Sequence, residues 1–111
     1  MGWAPERGDI VWIDMNPSAG HEQAGRRPAL VLSPAAYNAK VGLAILAPIT
    51  SQVKSYPFEV MLPEGLPVTG VVLSDQAKSL DWRSRNAELA GRLPAADTEA
   101  VLQRLGRLLA P

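Results

Sequence analysis

The chain has 111 residues, of which 47% are apolar and 20% charged, and its formal net charge is zero. That length suits one compact domain over residues 1–111, and the composition is that of a globular chain rather than a disordered one. Zero cysteines exclude disulfides, thiol catalysis and thiolate zinc sites, a lone His21 argues against an imidazole metal centre, and the balanced charge argues against a basic surface spread over the whole protein.

The first predicted element is a strand over residues 9–15, rich in β-branched side chains and ended by the turn composition Asn16-Pro17-Ser18-Ala19-Gly20. Residues 29–33 and 43–49 are apolar runs too short for typical helices and bounded by proline or glycine, so both read as strands buried on two faces. Between them, residues 34–40 start with Pro34 and continue with good helix formers, which predicts one or two helical turns. Phe58, Val60 and Leu62 alternate as in a half-buried strand, and residues 63–67 make a loop. Residues 70–74 and 78–82 form either two strands or one bent strand, and residues 88–93 a short last one.

After Pro94 the period changes. Val101, Leu102, Leu105, Leu108 and Leu109 fall on one face of an amphipathic helix of about four turns, with Asp97 and Glu99 near its start and Arg104 and Arg107 near its end, as the helix dipole favours. Short strands closed by one terminal helix predict an α+β domain, mainly β, with a strongly bent antiparallel sheet or partly open barrel. No apolar run approaches the roughly 20 residues of a membrane span, and the first residues lack a signal-peptide core, so a soluble cytoplasmic protein without membrane contact is expected.

Chemistry concentrates in two stretches. Gly20-His21-Glu22-Gln23-Ala24-Gly25-Arg26-Arg27-Pro28 crowds an imidazole, a carboxylate and two guanidiniums beside turn glycines, and Pro48-Ile49-Thr50-Ser51-Gln52 places two hydroxyls and an amide at a strand end. Arg27 precedes a proline, which biases it toward extended backbone, and its fork of donors suits two phosphate oxygens. Glu22 either accepts a proton from a ribose 2′-hydroxyl or fixes Arg26 or Arg27 by an ion pair. His21, with an ordinary pKa of about 6.5, either protonates a leaving 5′-oxygen or is an exposed loop residue. Thr50 offers a hydroxyl to a phosphate or its pentacoordinate transition state, whereas for Ser51 the reading as a turn residue is preferred. Asp75 and Gln76 either line the same cleft or make a turn. Of the aromatic residues, Trp12 reads as core, leaving Tyr56 and Trp82 to stack on bases. The carboxylates are scattered singly, unlike a two-metal nuclease, so no cofactor or metal is expected.

These segments, taken in order, resemble the MazF/PemK family of toxin endoribonucleases. The resemblance rests on Arg7-Gly8-Asp9-Ile10-Val11-Trp12, Gly20 to Gly25 with Arg27-Pro28, Val31-Leu32-Ser33-Pro34, Tyr37-Asn38, Tyr56-Pro57-Phe58-Glu59-Val60 and Ser74-Asp75-Gln76 with Lys78-Ser79. It implies a small SH3-like barrel of the CcdB/MazF type with a C-terminal helix, a homodimer, and metal-independent, sequence-specific cleavage of single-stranded RNA to 2′,3′-cyclic phosphate and 5′-hydroxyl ends. The implied catalytic residues are Arg27 and Thr50 with Glu22 beside them. Substrate contacts are expected from His21, Gln23, Arg26, Ser51, Lys54, Tyr56, Asp75, Gln76 and Lys78. The implied partner is an antitoxin whose acidic, extended C-terminal segment fills the RNA groove and through which alone the toxin meets operator DNA.

Two positions depart from the family pattern. Arg26 stands where close MazF relatives often have histidine, and Leu73 stands where the PemK/Kid branch has an arginine. The MazF-like pair Arg27 and Thr50 is therefore preferred to a Kid-type assignment. The competing readings are a non-enzymatic toxin that resembles CcdB and poisons DNA gyrase, and an SH3-like binding module without activity.

Overall fold

A computed structural model describes residues 2–15 and 25–111. Its elements follow the order β1 (Asp9–Asp14), β2 (Arg26–Val31), α1 (Ala35–Val41), β3 (Leu43–Thr50), β4 (Glu59–Met61), β5 (Val71–Leu73), β6 (Lys78–Asp81), β7 (Glu88–Arg92) and α2 (Ala95–Leu109). The ambiguous stretch after Gly70 is two strands, because a single 3-10 turn, Ser74–Gln76, separates β5 from β6. Helix α1 starts one residue after Pro34 and ends at Gly42, whose left-handed backbone (φ 83°) lets its N–H reach the Asn38 carbonyl.

All strand pairs are antiparallel, and the path across the sheet is β4-β5-β3-β2-β1-β7, with β6 also on β3. β3 is the hinge of this arrangement. Its first half, Leu43 to Leu46, pairs with β6, while its last two residues, Ile49 and Thr50, pair with Val72 and Val71 of β5. Its pairing with β2 stops at Ala29 opposite Pro48. Pro28, whose nitrogen faces β3, lacks the N–H that would continue that ladder, so the strands part there, while Pro48 turns its nitrogen to the other edge of β3, between its partners β6 and β5. β2 runs on beside β1, with Arg27 opposite Ile13, as β3 bends toward β5.

The sheet buries apolar residues on both sides. Ile10, Leu30, Ala47, Ile49, Val60, Val72 and Val101 form one cluster, against which Leu102 and Leu105 of α2 pack. Val11, Ile13, Val31, Leu46, Leu80 and Trp82 form the other. This explains why β2 from Ala29 onward reads as an unbroken apolar run: both of its faces are covered. The second cluster is tied down by Asn38, which is fully buried. Its side-chain amide donates to the carbonyls of Pro5 and Ser33, its side-chain oxygen accepts from the Ser33 hydroxyl, and its backbone carbonyl accepts from the Trp82 indole.

The two tryptophans exchange the places expected for them. Trp82 is 5% exposed, packs edge-on against Trp3 and carries Arg83 over its ring, so it is a core residue and not a base platform. Trp12 is 37% exposed although Ile10, Val11 and Ile13 around it are fully buried. The cause is the parting of β2 and β3, which removes the cover from its face of β1.

One glycine holds the divergence in shape. Gly70 has φ +120°, and a Cβ on it would lie 2.1 Å from the Thr50 carbonyl oxygen, so only a bare backbone can approach the end of β3 so closely. Gly70→Ala is expected to lower stability by about 2 kcal/mol or more, since both the backbone conformation and the contact become unfavourable. Thermal and urea unfolding measure this, and an unchanged midpoint would refute the close-approach role.

Candidate active site

The parting of β2 and β3 opens a cleft of about 510 Å³ lined by Trp12, Arg27, Pro28, Ile49 to Gln52 and Pro67 to Thr69. Continuing the register of Ala29 and Pro48 by two residues would set Arg27 across from Thr50, and the cleft stands where that pairing fails. The sequence builds this locally. Proline after Arg27 keeps it extended, and β2 begins at Arg26, so both arginines lie within the strand rather than in the preceding loop.

Successive strand residues project to opposite sides, and the two arginines meet different surroundings. Arg26 donates to Asp14 at 3.0 Å, to Glu88 at 2.7 Å and to the Asn86 carbonyl at 2.7 Å, and it lines a separate cavity with Trp82 and Arg83. Asn86 also donates to Asp14 at 2.9 Å; that hydrogen bond first, and Arg26 second, hold the Asp14 carboxyl below the usual aspartate range. Arg27 is exposed on the cleft, and among the described residues its guanidinium makes no ion pair. A fixed positive charge therefore faces the cleft, while its neighbour is neutralised.

Thr50 is half-buried, and its hydroxyl oxygen accepts the Gln52 N–H at 3.1 Å. That bond orients the side chain and leaves the hydroxyl proton to be donated. Ser51 and Gln52 are exposed beside it in the same cleft. Arg27, Thr50 and Ser51 are thus brought together. Gln52, whose amide the sequence places at this strand end, joins them, as do Trp12 and the segment from Pro67 to Thr69, which are not among the expected site residues. The wall at Pro67 is legible only afterwards, because Gly91 lies under it and a Cβ there would meet the Pro67 ring at 2.9 Å.

Other expected contacts form a second group. The Lys54 and Ser55 N–H groups donate to the Glu59 carboxylate, which fixes the loop after β3, and Tyr56 lines a neighbouring cavity with Val53, Met61 and Arg104. The Tyr56 hydroxyl donates to Asp75 at 2.9 Å. Gln76 and Lys78 are exposed on the 3-10 turn and β6. None of Lys54, Tyr56, Asp75, Gln76 or Lys78 lines the cleft. Arg83 and Arg85 are likewise spent elsewhere, the first on Trp82 and the second on the carbonyls of Asp14 and Met15. His21, Glu22 and Gln23 lie outside the described residues.

With this geometry in hand, the comparisons with known proteins are specific. Residues 6–109 match the family model described as PemK-like, MazF-like toxin of type II toxin-antitoxin system. The chain is 43% identical over 107 residues to the endoribonuclease toxin MazF of Escherichia coli strain K12, covering 96% of each chain, and 38% identical over 108 residues to the Escherichia coli endoribonuclease PemK, covering 94% of this chain and 81% of that one. A crystal structure of MazF from Deinococcus radiodurans superposes with a TM-score of 0.89 at 56% identity, covering 97% of this chain and 98% of that one. A MazE-MazF crystal structure from the same organism matches with a TM-score of 0.87 at 50% identity, covering 97% of each chain.

The Tyr56–Asp75 bond gives a pH signature. Donation to Asp75 is the largest cause that raises the Tyr56 pKa above its ordinary 10.0, since the bond favours the neutral phenol. Its contribution to folding is complete below pH 10 and is lost as pH rises through the folded-state pKa. In a Tyr37→Phe background, Asp75→Asn is expected to bring the tyrosinate absorbance titration down toward the ordinary value, and an unchanged titration would exclude the bond in solution.

Proposed function

This chain belongs to the PemK-like, MazF-like toxin family of type II toxin-antitoxin systems, and on that premise we propose that it is an endoribonuclease whose reaction centre is the cleft between β2 and β3. The single observation that carries the assignment is the pairing of an exposed guanidinium, Arg27, with a donor hydroxyl, Thr50, across the point where two strands separate. Together they supply charge and a directed hydrogen bond to a phosphate, which matters most as negative charge builds on it in the transition state.

The proposed reaction uses the nucleophile already in RNA. The 2′-hydroxyl loses its proton to a base, its oxygen bonds to phosphorus, the bond from phosphorus to the 5′-oxygen breaks, and that oxygen takes up a proton. The products are a 2′,3′-cyclic phosphate and a 5′-hydroxyl. Arg27 stabilises the phosphorane and Thr50 positions the phosphate. Glu22 or His21, from the chain leading into β2, transfers the protons. Ser51, with Gln52, extends the polar floor of the cleft, and Gln23, Lys54, Tyr56, Asp75, Gln76 and Lys78 contact RNA beyond it. Arg26 acts on substrate only indirectly, by holding β1, β2 and β7 together.

The whole chain forms one toxin domain that acts as a homodimer in the cytoplasm on single-stranded RNA at short sequences, needs no metal, and is restrained by an antitoxin with an acidic, extended segment. The MazE-MazF structures and the names of the curated relatives support this reading over a gyrase-binding one.

The test is incubation of purified protein in EDTA with long single-stranded RNA and with a DNA copy of it, followed by mapping of the ends. Discrete cuts in RNA alone, ending in cyclic phosphate, are expected. Arg27→Ala is expected to reduce the rate by about a hundredfold or more, and Thr50→Val by about tenfold or more, with circular dichroism unchanged. Cleavage by Arg27→Ala at the normal rate would overturn the assignment, and a folded wild type that leaves RNA intact would overturn the function.

A further inference from the structure

We propose that Trp12 is the platform on which a nucleobase next to the scissile phosphate stacks. This rests on the endoribonuclease reading of the same cleft and adds a residue to which no role in it has been given. Trp12 sits at the middle of β1, paired with Pro28 on one side and Glu88 on the other, and lines the cleft with Arg27 and Thr50. A central strand position with fully buried neighbours is where a large aromatic is ordinarily covered, yet 37% of Trp12 is open.

The contrast with Trp82 shows what a structural tryptophan looks like in this protein. Trp82 has an aromatic partner in Trp3, a cation over its ring and an acceptor for its indole N–H. Trp12 has none of these among the described residues. Its strand is anchored by the flanking core residues Val11 and Ile13, so the ring is held on a rigid support, pre-placed beside the cation that takes the phosphate.

An aromatic face binds every base, since every base has a π-face, so Trp12 contributes affinity and positioning rather than sequence choice. A base seated there fixes the nucleotide beside Arg27 and Thr50, which brings its phosphate into register with them. The expected signature is a rise in KM, with a smaller change in kcat, and no change in the cleaved sequence.

The experiment uses full-length protein with Trp12→Ala and Trp12→Phe, and short RNAs spanning a cut site mapped with the wild type. In one set the 2′-hydroxyl at the cut is removed so that binding is read without cleavage. In a second set one base at a time is replaced by an abasic ribose. Trp12→Ala is expected to weaken binding about tenfold or more, Trp12→Phe to retain most of it, and the unfolding midpoint of Trp12→Phe to match the wild type. At one position flanking the cut, the abasic substitution and Trp12→Ala are expected to be non-additive, because each removes the same stack. Additive losses at every position would overturn the platform, as would full RNA binding by Trp12→Ala, which would assign the ring to a protein partner. Wild-type protein that neither binds nor cuts RNA would instead overturn the endoribonuclease reading.

Discussion

The parting of two neighbouring strands is the constraint on which the rest of this structure depends. β2 and β3 pair as far as Ala29 and Pro48, and beyond that point each has a different partner. Pro28 removes the donor that would keep them together. The gap is kept open because both strands remain bonded on their outer edges, β2 to β1 and β3 to β5, so the opening costs few unpaired backbone groups. Gly70 completes the arrangement by letting the chain entering β5 press against the Thr50 carbonyl.

A cleft made in this way inherits the rigidity of the sheet. Arg27 and Thr50 are strand residues, not loop residues, and each is followed or preceded by buried core positions: Ala29 and Leu30 on one side, Ala47 and Ile49 on the other. On the proposed reading, a cation and a hydroxyl held on strands lose little entropy on meeting a phosphate, which is the basis of preorganised stabilisation. The adjacent arginine serves the opposite purpose. Arg26, bonded to Asp14, Glu88 and the Asn86 carbonyl, ties β1, β2 and the approach to β7 together. These bonds are largely exposed, so their worth lies in orienting the strand end more than in overall stability.

Much of this was legible in the sequence. β-Branched residues ended by a turn located β1, short apolar runs bounded by proline or glycine located β3 and the second half of β2, and the change of period after Pro94 located α2 with its buried Val101. Arg27 and Thr50 stood out because their residue types suit a phosphate and both sit beside strand ends. What sequence patterning missed depends on the three-dimensional path of the sheet. Alternation along β1 cannot reveal that the cover over Trp12 is removed by a divergence between two other strands, nor that Trp82 is held by Asn38 from α1. The same holds for Pro67 to Thr69, an ordinary-looking loop whose place at the cleft follows from its packing over Gly91.

Separation of labour follows from where each group sits. On the proposed reading, Arg27 and Thr50 on the strand fork offer charge and a hydrogen bond to a phosphate, a feature shared by every nucleotide, and they carry no sequence information. On the same reading, discrimination between bases falls to groups that reach base edges, for which the polar residues outside the cleft are the proposed source: Lys54 on the loop braced by Glu59, and Tyr56 bonded to Asp75. Both anchors lie at the surface, and none of Lys54, Tyr56, Glu59 or Asp75 belongs to either hydrophobic cluster, so the proposed base-reading groups are structurally separate from the core that holds the fork.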